Sequence, residues 1–230
     1  MMTSDGTDWK NNKDWTQKRP DVPVLFYSPG SCALAPHIVL EEIGQPFDLE
    51  LVVTYKGEAR TEKFKKVNPK GRIPVLTKAD WMLTESPAIL LHLASEKPVF
   101  APKGQEELSR TLEWFNWLSG TVHSVAIRQI WRSEDFTNDP TMLEAIRAKG
   151  HEHLAEAHAL IESRLTEGEW ALASGYTVLD PFLLVFYRWG HRMKLPMRDK
   201  CPKWTKHAEM MLRRPAVTRA LTTEGISVWK

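Results

Sequence analysis

Tyr27-Ser28-Pro29-Gly30-Ser31-Cys32-Ala33-Leu34-Ala35-Pro36-His37-Ile38-Val39-Leu40 is the stretch on which the fold turns. Just before it, Val24 to Tyr27 is a short buried-strand pattern, and Ser28-Pro29-Gly30 is a strong turn signal. From Ser31 the pattern becomes helical: Leu34, Ile38 and Ile43 recur near a 3.6 period, and Gly44 supplies the stop. Pro36 fits this helix because a first turn has no internal N–H bonds to lose. Strand, turn and helix meet at Cys32, at or beside a helix N-terminus. Unpaired N–H groups and the helix dipole favour an anion there, so the reading predicts a thiol that ionises more easily than usual. The plainer alternative is a small buried residue. Ala35 stands where the second cysteine of a Cys-x-x-Cys pair would be, so any redox chemistry is of the one-thiol kind.

Moving outward, Leu49 to Val53 reads as a second strand and Glu58 to Lys66 as a short charged helix. Asn68-Pro69-Lys70-Gly71-Arg72-Ile73-Pro74 is a turn running into a strand at Val75 to Thr77, and Trp81 to Leu83 makes a fourth strand. Ser86 is a good N-cap, with Pro87 at the first position of a helix running to about Ser95. The order β-α-β-α-β-β-α predicts a parallel pair first and a hairpin last. Ile73-Pro74 is either an ordinary trans strand opener or a cis bond that exposes the preceding backbone groups. A carboxylate at Glu85 suits an amine, and the helix end beside it suits a ligand carboxylate.

After Glu96 the composition shifts. Residues 97–104 read as a linker, and helices are predicted near 105–132, 140–166, 177–192, 202–213 and 215–224. Thr177-Val178-Leu179-Asp180 is a capping-box variant with Asp in the Glu position. The helix it opens is apolar nearly all round and should be the buried centre of the second half. The expected domains are a polar tail at 1–21, a first domain at 22–96, the linker, and an all-helical domain at 105–230. Trp9 and Trp15 are the residues expected to tack the tail onto the body.

Composition bounds the function. The 230 residues are 42% hydrophobic and 26% charged, an ordinary globular balance. With 31 Lys and Arg against 29 Asp and Glu, the net charge of +2 leaves no electrostatic footprint for nucleic acid or an anionic membrane. Two cysteines cannot build a disulfide framework or a four-thiolate zinc site. The first 21 residues lack the apolar core of a signal peptide, and the run Phe182 to Tyr187 is too short to cross a bilayer. A cytoplasmic, reducing location is therefore expected. His151-Glu152-His153 and His158 lack the i, i+4 histidine pair of helical zinc sites, so they read as a solvated helix face and no metal is expected.

These pieces together resemble a cytosolic glutathione transferase, and the bacterial beta class above all, over about residues 23–227. The Tyr27 to Leu40 stretch is close to that class's signature. Asn68 to Pro74 and Leu83-Thr84-Glu85-Ser86-Pro87-Ala88-Ile89 fit the family's two other glutathione-site motifs. Thr177 to Asp180 matches its capping box and Arg214-Pro215-Ala216-Val217 its C-terminal motif. Each motif is weak alone; together, in this order and spacing, they are specific.

The resemblance implies a thioredoxin-like N-terminal domain, an all-helical C-terminal domain carrying an electrophile pocket, a homodimer, and glutathione as co-substrate. It aligns Cys32 with the cysteine that meets the glutathione sulfur, with the Ser31 and Tyr27 hydroxyls as rivals. It aligns Ile73, before Pro74, with the residue whose backbone pairs with the tripeptide's cysteinyl unit. Glu85 and Ser86 align with the pair that holds the γ-glutamyl end, and Lys56 with a lysine for the glycyl carboxylate. Glu113-Trp114-Phe115-Asn116-Trp117 brings Asn116 and His123 onto polar site positions. Arg72 replaces a usual glutamine in the site, and Ser124 stands where a basic residue is usual. The implied reaction is transfer of glutathione to small electrophiles, or exchange with disulfides. A non-catalytic glutathione-binding scaffold is the alternative, and a metal-dependent hydrolase has little support.

Overall fold

The computed structural model describes residues 21–166 and 170–229. The expectation for Trp9, Trp15 and the tail falls outside these residues.

The first half is a four-stranded sheet. β1 (Val24–Tyr27) leads through α1 (Leu34–Ile43) to β2 (Asp48–Leu51). Two 3-10 turns, Thr54–Lys56 and Glu58–Arg60, and α2 (Glu62–Lys65) carry the chain to β3 (Val75–Lys78), β4 (Trp81–Thr84) and α3 (Ser86–Glu96). The strand order is β2-β1-β3-β4. β1 and β2 are parallel, with Leu25 opposite Leu49, and the other two pairs are antiparallel. The parallel pair and the closing hairpin follow the order read from the sequence, and the sheet as a whole is the thioredoxin-like arrangement that the family resemblance implied. Alternation along β1 divides its side chains between two layers. Val24 and Phe26 join Val52, Phe64 and Val75 on one face, while Leu25 and Tyr27 face the main core. Phe64 anchors the short α2 edge-on against Phe26, at 6.2 Å between rings. Its burial contributes about 1.5–3 kcal/mol, and the Thr61 hydroxyl caps the helix by accepting from Phe64 N–H.

The second half is helical. α4 (Gly104–Trp117) runs on through wider π-type turns at Leu118–Ile127 into α5 (Arg128–Trp131). Then follow α6 (Leu143–Arg164), α7 (Leu179–Arg192), α8 (Met197–Lys200), α9 (Pro202–Leu212) and α10 (Pro215–Glu224). Residues 179–190 of α7 are all buried, as its apolar circumference required. The capping box forms as expected: Asp180 Oδ2 accepts from Thr177 N–H at 2.7 Å. One continuous core runs from Leu25 in the sheet to Val228 beyond the last helix, because α1 packs against both α7 and α10.

Three sequence expectations are corrected, and the linker is seen in detail. The predicted helix over 105–132 is not uniform, since π-type turns replace its middle; Ser124 Oγ there donates to the Ser119 carbonyl. The 97–104 segment is tied to its surroundings. Its Phe100 is buried and accepts from Val178 N–H, and Lys97 Nζ donates to the Glu42 and Ile43 carbonyls at the end of α1. The N-cap of α3 is Glu85, with Ser86 already inside the helix. The histidine face on α6 is solvated only in part. His151 is exposed, but His158 is buried edge-on against Trp204, because it shares the inner side of α6 with Leu154 and Ile161.

Candidate functional site

Gly30 (φ +69) turns the chain from β1 towards α1, a conformation that glycine adopts without a Cβ penalty. The backbone then closes on itself. Ser31 N–H donates to the Ser28 carbonyl, and Leu34 and Ala35 N–H donate to the carbonyls of Ser31 and Cys32. Ser31 Oγ accepts from Ala33 N–H at 3.2 Å, which leaves its own proton to donate.

Cys32 thus sits on an N-terminal turn in which the N–H groups of Ser31, Ala33, Leu34 and Ala35 already have acceptors. Its own N–H, the Ser86 hydroxyl and the charge of Arg72 lie close enough to favour the thiolate, while the charge of Glu85 opposes it. Burial outweighs these stabilising groups, and the thiol is pushed up to about 12. This overturns the expectation of an easily ionised thiol. The helix end that should have stabilised the anion is satisfied internally, and the sulfur is desolvated.

The next loop supplies the opposite wall. The Ile73-Pro74 peptide is cis. Arg72 is exposed, Ile73 half-buried and Pro74 buried. Asn68 ties this loop together: its Nδ2 donates to the Arg72 carbonyl at 2.6 Å, and its Oδ1 accepts from Lys70 N–H. Glu85 holds φ +74, a region that costs a non-glycine residue about 1–3 kcal/mol and occurs preferentially at functional sites. Its carboxylate does not cap α3. It pairs with Lys70 Nζ, which also donates to Thr84 Oγ1 at 2.7 Å.

His123 faces this wall from the helical half. Burial first, then the charges of Arg72 and Arg128, lower it to about 4, so the ring is neutral near pH 7; Glu85 opposes that shift. The ring lies 5.1 Å from Trp189 and 6.5 Å from Phe186, and Trp131 stands 5.5 Å from Trp189. The wide turns at Leu118–Ile127 carry His123; such turns recur at functional positions in helices.

Cys32, Arg72, Glu85, Ser86 and His123 are therefore brought together, with Ile73 and Pro74 on the same loop. Tyr27 is not with them. Its ring packs on His37, and burial and the charge of Glu224 raise its phenol, which places it under the last helix. Lys56 is exposed at the end of a 3-10 turn, and Asn116 is exposed on α4; among the described residues neither is tied to the group by a hydrogen bond. Among the described residues no group of three or more His, Cys, Asp or Glu is gathered to hold a metal ion.

The sequence reading missed Lys70, Arg128, Trp189 and Glu224. Glu224 alone left a signal. A carboxylate in the last helical turn, just before Gly225, opposes the helix dipole, which marks it as held there by something else.

The sequence model of the glutathione S-transferase N-terminal domain matches residues 29–96, the span from the Cys32 turn to the end of α3. Glutathione S-transferase GstA of Escherichia coli O157:H7 is 30% identical over 207 residues, covering 88% of this chain and 98% of that protein. The chain belongs to the glutathione S-transferase family. Solved transferase structures agree in fold. A glutathione transferase homologue from Sulfitobacter, solved with bound glutathione, superposes with a TM-score of 0.82 at 25% identity, covering 90% of this chain and 99% of that one. A sphingomonad glutathione S-transferase complexed with glutathione gives 0.74 at 30% identity, covering 89% and 100%. The matched N-terminal span of the transferase holds Cys32, Arg72, Ile73, Glu85 and Ser86, while His123 comes from the helical half.

Proposed function

We propose that this glutathione S-transferase binds reduced glutathione on the 22–96 thioredoxin-like domain and transfers it to small electrophiles carried by the 105–230 helical domain. The observation that supports this best is the meeting of Cys32, Arg72, Glu85 and Ser86 with His123 across the two halves. In this reading Glu85 takes the γ-glutamyl ammonium by a charge-assisted bond, with Ser86 beside it. The Ile73 backbone pairs with the cysteinyl unit, Arg72 adds positive charge, and Lys56 meets the glycyl carboxylate. The Ser31 hydroxyl and the Cys32 S–H donate to the glutathione sulfur and favour its thiolate. That thiolate attacks an electrophilic carbon: the S–C bond forms, the leaving group departs with its electron pair, and the thiol proton passes to water. Neutral His123 and the rings of Trp131 and Trp189 offer a surface for an aromatic electrophile, with Asn116 at the rim.

The raised Cys32 thiol favours carbon conjugation over disulfide exchange. We further propose a cytoplasmic homodimer. Trp81 and Met82 on the edge strand β4 are two-fifths exposed, as residues awaiting a partner surface would be. No helix among the described residues is long and apolar enough to cross a membrane.

Retention on immobilised glutathione, followed by a panel of electrophiles and mixed disulfides, tests the function. Elution by free glutathione and turnover of at least one carbon electrophile are expected. Retention without turnover makes the protein a binding scaffold, and no retention removes the reading altogether.

A further inference from the structure

Three side chains of the helical half converge on the backbone of a single residue, Gly30, in the turn before Cys32. Glu224, whose side chain is fully shielded from solvent, accepts from Gly30 N–H through Oε2 at 2.7 Å, while its Oε1 lies 2.8 Å from His37 Nδ1. The Gly30 carbonyl accepts from Trp189 Nε1–H at 2.9 Å and, at 3.4 Å, from Arg188 Nη1. Arg188 is itself anchored, donating through Nε to the Ser227 carbonyl at 2.8 Å. A Cβ at Gly30 would lie 2.3 Å from Arg188 Nη1, so the guanidinium fills the space a side chain would need. Both backbone polar groups of Gly30, which belong to two successive peptide units, are thereby fixed by partners from the helical half. Buried hydrogen bonds to charged groups are among the stronger ones, and their partners are costly to leave unpaired.

Trp189 does more than donate. Its ring stands beside His123 and Trp131, so one side chain touches both the thiol-bearing turn and the aromatic surface on the helical half. No step of conjugation draws a proton or an electron pair from Trp189 or Glu224.

We propose that Trp189 and Glu224 are positioning residues: they hold the Gly30 backbone on both sides, and through it Cys32, in register with Glu85, Ser86 and His123. The kinetic consequence rests on the transferase reading above; the consequence for Cys32 accessibility does not.

The test uses full-length Trp189→Phe, Glu224→Ala and Glu224→Gln, each assayed below its own melting temperature. Trp189→Phe keeps an aromatic ring against Phe186 and His123 and removes the N–H donor. Steady-state conjugation of glutathione to 1-chloro-2,4-dinitrobenzene should show kcat at least tenfold lower in Trp189→Phe and Glu224→Ala. KM for glutathione should stay within threefold, because Glu85 and Ser86 are untouched. Glu224→Gln, which keeps an acceptor for Gly30 N–H, should recover most of the loss. Independently, alkylation of Cys32 by iodoacetamide, read by peptide mass, should accelerate at least threefold in Trp189→Phe and Glu224→Ala. The midpoint of its pH–rate profile should also fall from the wild-type value as the thiol is uncovered. Folded variants with wild-type kcat and wild-type alkylation overturn the proposal. If Glu224→Ala does not fold, the alkylation rate of Trp189→Phe decides alone, because the Trp189 ring also belongs to the surface proposed for the electrophile: faster supports the positioning, unchanged refutes it. If the wild type turns over no electrophile, the transferase reading fails, and the alkylation profiles still decide the positioning: faster in the variants supports it, unchanged refutes it.

Discussion

Lys70 and Glu85 form an ion pair between the loop that leads to Ile73 and the strained corner that opens α3. Both side chains are about half exposed, so solvent screens the pair and its own contribution to stability is small. Its consequence is for ligand binding, since Lys70 occupies the carboxylate assigned to the glutathione ammonium. Glu85→Ala should weaken glutathione binding at least tenfold by calorimetry, with the variant still folded. Lys70→Met, which leaves that carboxylate for the ligand, should change affinity by less than threefold. Equal losses in the two variants would assign the ligand contact to Lys70 instead.

Cys32 should be a slow thiol. A value of about 12 in place of 9 lowers the thiolate fraction at neutral pH by roughly a thousandfold, and the greater basicity of the anion recovers only part of this. Alkylation at pH 7.5 should therefore run about thirtyfold slower than that of an ordinary thiol and keep accelerating above pH 9. Cys32→Ala should retain conjugation of carbon electrophiles. A mixed disulfide formed within minutes of adding oxidised glutathione, seen by mass spectrometry, would contradict this.

Buried His158 carries a pH dependence of stability. Desolvation lowers it to about 4 from an ordinary 6.5, so between these values the unfolded chain binds a proton that the folded chain does not. Stability is then full above about pH 6.5 and declines as the pH falls towards 4, by about tenfold in the folding constant per pH unit. Urea midpoints measured from pH 4.5 to 7 should fall on acidification, and His158→Phe should flatten the slope. An identical slope in that variant would assign the acid sensitivity to other groups, His123 first.

Asp180 organises the polar centre of the helical half. Its Oδ1 accepts from Ala171 N–H at 2.9 Å and lies 2.8 Å from His207 Nε2, while Oδ2 takes the Thr177 N–H. Asp180→Ala leaves these partners buried and unpaired, a loss of about 3–5 kcal/mol. Equilibrium denaturation should register it directly. A loss below about 1 kcal/mol would mean that water replaces the carboxylate.

Local patterns made much of this legible. Val24–Tyr27 matches its expected bounds, and Leu34–Ile43 ends at Gly44 as read, because strand and helix periods and a left-handed C-cap are local signals. The buried circumference of α7 was equally visible in its composition. Long-range pairings were not. Lys70 reads as a loop cation until the sheet is placed, and the misfit of Glu224 with its helix dipole does not name the partner that holds it until the last helix is set against the Gly30 turn. The thiol was misjudged for a related reason. The sequence marks where a helix starts, but whether its N–H groups are satisfied and its sulfur enclosed depends on Ser31, Ser86 and the packing above them.

Gly30 meets its acceptor Glu224 194 residues further along the chain. A ribosome adding about 5–20 residues per second needs roughly 10 to 40 seconds to cover that distance. From residue 84 onward all four strands have been synthesised, while the Gly30 N–H still lacks the Glu224 carboxylate. Order of synthesis therefore places the anchoring of the thiol turn well after the sheet, and a ribosome stalled between residues 84 and 224 leaves four strands with an unanchored thiol turn.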